Sequence, residues 1–203
     1  MGVNAAAAWS RPVQTAYPLD SFGRSLPSHA LSCPPVDARD FSGTTLRFSP
    51  AAKVIDPFRQ RLIAFEQVVT EVSERVYARR PSAILVAASY GCRSVGGENR
   101  KLSEHALGNA IDITGFEFAP ISPFTLPAWT PPPLALLSGF QVRVDRHWQA
   151  TGDAASATHA YFLAELTREL VARGTFRTLL GPAHPDHDDH FHFDMAPWNY
   201  VHL

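Results

Sequence analysis

The stretch that most constrains this chain is Leu102–Thr114, L-S-E-H-A-L-G-N-A-I-D-I-T. It sets His105 and Asp112 seven residues apart, with Gly108 at the turn between them. The turn leads into a strand in which Ala110, Asp112 and Thr114 face one way and Ile111 and Ile113 the other, because side chains alternate along a strand. The isoleucines suit a core face, so Asp112 is aimed out of the core and beside an imidazole. One histidine and one carboxylate are half of a metal site. A second stretch near the C-terminus supplies the remainder.

That stretch, His184–Met195, reads H-P-D-H-D-D-H-F-H-F-D-M and holds four of the chain's nine histidines. Its last part alternates again: His190, His192 and Asp194 share one face, and Phe191, Phe193 and Met195 the other. Two strands side by side, each showing polar groups on the same face, would hold one ion between them. Zn²⁺ takes imidazole and carboxylate ligands, and a catalytic site keeps three protein ligands and an open water position. His105, Asp112 and either His190 or His192 supply such a set, and a remaining histidine is available as general base. The isolated His29, His147, His159 and His202 read as surface or packing residues.

The rest of the chain reads as scaffold. Residues 1 to about 45 are rich in Pro, Ser and Ala without sustained periodicity and are expected to be an irregular segment, with the domain proper at 46–203. Thr44–Phe48 is a candidate strand. Asp56-Pro57 signals a helix start, with Asp as N-cap and Pro first inside. From there Phe58, Leu62, Phe65, Val69, Val72 and Val76 form one apolar stripe of a helix ending before Pro81. Ala83–Ser89 reads as a buried strand, Val142–Trp148 as another, and Ala155–Arg173 as a helix stopped by Gly174. The Pro-rich stretch 119–133, containing Trp129, reads as a rim or lid. The expected fold is α+β: a small, mainly antiparallel sheet carrying both motifs, with two main helices packed against it.

Composition excludes several classes. Hydrophobic residues are 45% and charged ones 18%, which fits a globular domain. A net charge of -1 gives no footprint for nucleic acid. No apolar run approaches the roughly 20 residues of a membrane span. The opening MGVNAAAAW has neither a charged n-region nor an apolar h-region, so it does not read as a signal peptide as it stands. Cys33 and Cys92 are either a disulfide, which would imply an exported protein, or two buried thiols.

The first motif resembles the S-x-H-x-x-G-x-A-x-D pattern of the LAS-type zinc peptidases, which include D-alanyl-D-alanine carboxypeptidases and penicillin-insensitive murein endopeptidases. H-F-H resembles their C-terminal H-x-H. The run from Tyr90-Gly91-Cys92-Arg93 through both motifs is most similar to the bacterial extensin-like C-terminal domain, over roughly residues 50 to 197. The resemblance implies Zn²⁺ held by His105, Asp112 and His192, with His190 as base or water-orienting group. It implies His187 as an auxiliary at the developing oxyanion and Arg93 on a substrate carboxylate or the transition state. Ser103 and Asp194 would support the ligands, Asp194 by accepting a histidine N–H. The implied partner is a peptidoglycan peptide or wall fragment, and the implied location is periplasmic or exported. The carboxypeptidase branch uses a Glu near the second motif, but no Glu follows Glu169 here. The base must therefore be His190 or His187, or catalysis has been lost and the chain is a wall-binding module with Trp129 as its platform. No third cysteine is present, so Cys33 and Cys92 are the one possible intrachain pair.

Overall fold

A computed structural model describes residues 32–95, 101–122 and 134–203. Trp129, most of the Pro-rich stretch and His29 lie outside the described residues. Strand β1 (Ala38–Phe41) pairs antiparallel with β3 (Ala52–Ile55) as a separate two-stranded ribbon. Both escaped the sequence reading, β1 because it lies inside the segment expected to be irregular. Each is only four residues long, too short for a period of two to stand out. Strand β2 (Arg47–Ser49) starts later than the expected Thr44–Phe48. The backbone N–H groups of Thr44, Thr45 and Leu46 donate instead to the buried Glu66 carboxylate, which both threonine hydroxyls also reach. A strand ladder cannot use donors that a carboxylate already holds.

Helix α1 (Asp56–Tyr77) buries Phe58, Leu62, Phe65, Val69 and Val72 completely, as the stripe requires. Its N-cap is Ile55, and no side chain caps it. Asp56 stands one position inside that, in the first turn, where its charge still complements the helix dipole. Strand β4 (Ala83–Ala88) follows, and then β5 (Ala110–Phe118), the centre of the molecule. The expected strand Val142–Trp148 is corrected: β6 (Phe140–Arg143) stops at Arg143, and the chain turns into the single helical turn α2 (Val144–His147). The Arg143 N–H donates to Nδ1 of His147 at 2.8 Å, which closes that turn. Helix α3 (Ala154–Arg173) runs from the N-cap Asp153 to a left-handed Gly174. Strands β7 (Thr178–Leu180), β8 (Phe191–Asp194) and β9 (Tyr200–His202) complete the fold.

The main sheet is ordered β2-β4-β5-β8-β7-β9, with β6 also on β5. Four of its six pairings are antiparallel; β2/β4 and β7/β9 are parallel. One edge of β5 is lined by β4. The other is shared, with β8 on residues 110–113 and β6 on 115–118. The pairing with β4 jumps from Leu85↔Gly115 to Val86↔Ile113, which leaves Thr114 as an extra, bulged residue. That bulge changes the phase of the alternation, so Phe116 and Phe118 take over the core face from Ile111 and Ile113. All four are buried. The core face packs on both long helices: Phe193 lies against Phe65 of α1 at 5.6 Å, and Phe116 against Phe162 of α3 at 5.3 Å. The opposite face of β5 and β8 is left for chemistry.

Candidate metal centre

His105 sits in a 3-10 turn, Glu104–Leu107, capped by Ser103, whose Oγ accepts from the His105 N–H at 3.3 Å. The chain must then reverse into β5, and Gly108 makes the reversal at φ 66. A Cβ at Gly108 would stand 3.1 Å from Ile55 Cγ2 and 3.3 Å from the Ile55 backbone N, so both conformation and space favour glycine. On the sheet, register places Asp112 of β5 directly opposite His192 of β8. The ligands implied at the sequence level, His105, Asp112 and His192, are thereby brought together with one ligand atom each inside 4.8 Å. Asp112 Oδ1 lies 3.1 Å from His105 Nε2 and 2.8 Å from His192 Nδ1, and the two nitrogens are 3.1 Å apart.

The outer nitrogens decide what faces inward. His105 Nδ1–H donates to the Ser89 carbonyl at 2.6 Å, at the end of β4. His192 Nε2–H donates to Asp194 Oδ2 at 2.9 Å, the support expected of Asp194. Both tautomers are therefore set, and both inner nitrogens present lone pairs toward a carboxylate oxygen. Three acceptors converging in a buried place repel one another unless a cation sits among them. Ligands bonded tetrahedrally at zinc's 2.0–2.1 Å stand about 3.3 Å apart, close to the separations observed here. The donor set fits a small divalent metal. Without an ion a proton takes that place: burial opposes charge on His192, yet Asp112 and Asp194 on its two sides push it up to about 9. Burial likewise opposes charge on Asp112, and the two imidazoles outweigh it and hold the carboxyl well below the usual range.

The remaining expected residues surround this triad. Arg93 donates from Nη2 to Asp112 Oδ2 at 3.1 Å and is half exposed. His190 Nε2 lies 3.8 Å from Asp112 Oδ1, while its Nδ1–H donates to Asp189 Oδ1 at 2.7 Å. His187 stacks obliquely on His190, ring centres 4.8 Å apart, and its Nδ1–H donates to the Pro185 carbonyl at 2.7 Å. Burial holds His187 below the ordinary histidine value. His159, expected to be a packing residue, is buried and bonded to Tyr77 Oη through Nδ1 at 2.9 Å.

A pocket of roughly 480 Å³ opens over the triad. Two of its walls were missed by sequence reasoning. Glu104, adjacent to His105, lines the pocket, and its carboxylate accepts from Asn109 Nδ2 at 2.5 Å. Burial pushes Glu104 up to about 7. No glutamate follows Glu169, and the turn S-E-H of the first motif is what brings a glutamate to the pocket. Trp198 and Tyr200, both about half exposed, form the far wall. Nothing in P-W-N-Y distinguishes them in sequence from any surface aromatic.

Residues 24–127 match the family model described as extensin-like protein C-terminus. The chain belongs to that family. The match begins ahead of the expected start near residue 50 and includes Cys33, Cys92 and the first motif, but ends before the second. No curated protein and no solved structure matches the chain. Within this extensin-like domain Cys33 and Cys92 form a disulfide that fastens the N-terminal segment beside Arg93. Among the described residues no helix is long and apolar enough to cross a membrane.

Proposed function

We propose that this extensin-like domain is a zinc-dependent hydrolase of amide bonds in peptidoglycan peptides, related in mechanism to the LAS-type peptidases. The observation that carries the reading is the convergence of two imidazole lone pairs and a carboxylate at the floor of an open pocket. A bound zinc ion would lower the pKa of its water and polarise the scissile carbonyl. His105, Asp112 and His192 would hold it.

The other residues take roles their hydrogen bonds allow. Asp189 keeps the His190 proton on Nδ1, so Nε2 faces the triad as a proton acceptor, which is the geometry a general base needs. His187 likewise presents Nε2 and becomes a donor to a developing oxyanion only when its ring is protonated. Glu104, with a value near neutrality, is a second group able to carry a proton. Arg93 neutralises the outer oxygen of Asp112 and keeps further N–H groups for a substrate carboxylate. The disulfide favours an oxidising compartment, and we place the protein outside the cytoplasm on that ground.

The test is elemental analysis of purified protein with His192→Ala and Asp112→Ala, followed by hydrolysis of peptidoglycan fragments with and without chelator. About one zinc per chain is expected, lost in both variants, together with chelator-sensitive cleavage that fails in His190→Ala. Folded protein that takes up no metal after incubation with zinc sinks the proposal. Metal uptake without hydrolysis, and wall binding untouched by His190→Ala, would establish a non-catalytic wall-binding module instead.

A further inference from the structure

The pocket is longer than the metal triad needs. The register of four strands sets out two rows of residues across the sheet beneath it. One row runs Asp112, His192, Leu180, His202, and the next runs Ala110, Asp194, Thr178, Tyr200. From His192 on β8 to the β9 edge is two strand spacings, about 10 Å. The triad therefore lies at one end of a trough, and the other end is closed by Tyr200 and Trp198.

That far end has its own chemistry. Trp198 is 53% exposed and Tyr200 46%, large aromatic surfaces left uncovered along the pocket. The Lys101 ammonium stands 5.9 Å from the Trp198 ring centre. Lys101 is delivered by a hairpin stem in which Ser94 bridges Leu102, Val95 N–H donates to the Lys101 carbonyl at 2.9 Å, and Ser103 N–H to the Arg93 carbonyl at 3.1 Å. The same stem carries Arg93, so both cations rim the trough from one side.

We propose that Trp198, Tyr200 and Lys101 form a saccharide subsite, which takes a sugar ring bearing a carboxylate. The aromatic faces receive the apolar C–H face of the ring, and Lys101 pairs with the carboxylate. A side-chain pocket for a peptide would be concave and aliphatic, whereas this wall is flat, aromatic and edged with donors. The inference rests on the reading of the triad pocket as a wall-polymer site, and deepens it by naming a glycan contact beyond the reacting bond.

The test titrates the full chain by calorimetry with three probes: the disaccharide of N-acetylglucosamine and N-acetylmuramic acid, the neutral N-acetylglucosamine dimer, and an acidic tripeptide of alanine and glutamate. The acidic disaccharide should bind best. Trp198→Ala should weaken it at least tenfold and Lys101→Gln several-fold, and Lys101→Gln should also remove the preference over the neutral dimer. Each variant is checked for zinc content, which should stay at wild-type level. His192→Ala should lose metal yet keep disaccharide binding, so loss of the hydrolase reading and loss of the subsite appear in different measurements. Disaccharide binding unchanged by Trp198→Ala overturns the proposal. So does tripeptide binding that equals the disaccharide and shares its dependence on Trp198, which would make the wall an acidic-peptide site.

Discussion

Replacing both cysteines, Cys33→Ala with Cys92→Ala, separates what the disulfide does for stability from what holds the site. The bond spans a sequence separation of 59 residues. On the chain-entropy model, opening a loop of that size restores about 14 cal/mol/K to the unfolded chain, or about 4 kcal/mol at 25 °C. A domain of this size gains roughly 2–4 °C per kcal/mol, so the midpoint should fall by about 8–16 °C. The loop that carries Cys92 has other restraints. Tyr90 N–H donates to the Lys53 carbonyl at 3.0 Å, Gly91 N–H to the His105 carbonyl at 3.2 Å, and Arg93 bonds Asp112. Those bonds do not pass through sulfur, so the triad should keep its arrangement at temperatures where the variant is folded. The assay is urea unfolding of wild type and variant, with zinc content measured on both. A loss below about 1 kcal/mol would refute the entropic argument, because the loop would then be closed in the unfolded chain by something else. Full stability with zinc lost would refute the claim that the site loop is held independently.

Three further outcomes follow from the scaffold. Glu66→Gln leaves buried N–H donors of the 44–46 turn facing an amide that cannot accept from all of them, and should cost about 2–3 kcal/mol in urea unfolding. Gly115→Ala would put a Cβ 2.1 Å from the Val142 carbonyl oxygen, a backbone atom of the paired strand, so β6 must move and a loss of about 3 kcal/mol or more is expected. His159 is pulled down to about 4 by burial first, and then by the charge of His147. The unfolded chain thus binds a proton the folded one refuses, and stability should fall as pH drops from about 6.5 to about 4, by roughly 3 kcal/mol at most. Thermal melts of wild type and His159→Gln across that range check it: the variant should lose the slope, and an unchanged slope rejects His159 as its source.

Much of the candidate site was legible because its residues obey local periodicities. Asp112 and the pair His190 and His192 stand out since each strand motif alternates polar and apolar groups, and a strand with one buried face leaves the other for ligands; His192 as the third ligand is what the family resemblance implies. The stripe of α1 and the capped, glycine-stopped α3 follow from the same kind of rule at a period near 3.6. Glu104 was not legible in this way. It sits beside a ligand in a 3-10 turn, where neighbouring side chains diverge by an angle no binary pattern records. Nor was the phase change at Thr114, because a bulge is created by the partner strand and not by the residue that bulges.

Sequence alone, then, determined which residues are able to ligate, which face of α1 is buried, and where the two long helices lie. Each of these depends on a residue and its neighbours within a turn or two. Tertiary structure alone decided that β8 lies against β5 in the register that sets His192 opposite Asp112. It alone turned Ser89 and Asp194 toward the outer nitrogens, and so fixed which lone pairs point inward. It also brought Trp198 and Lys101 to one rim, 97 positions apart in the chain. Pairing register and long-range approach are settled by the packing of the whole core under α1 and α3, a sum over many contacts that no short window of sequence contains.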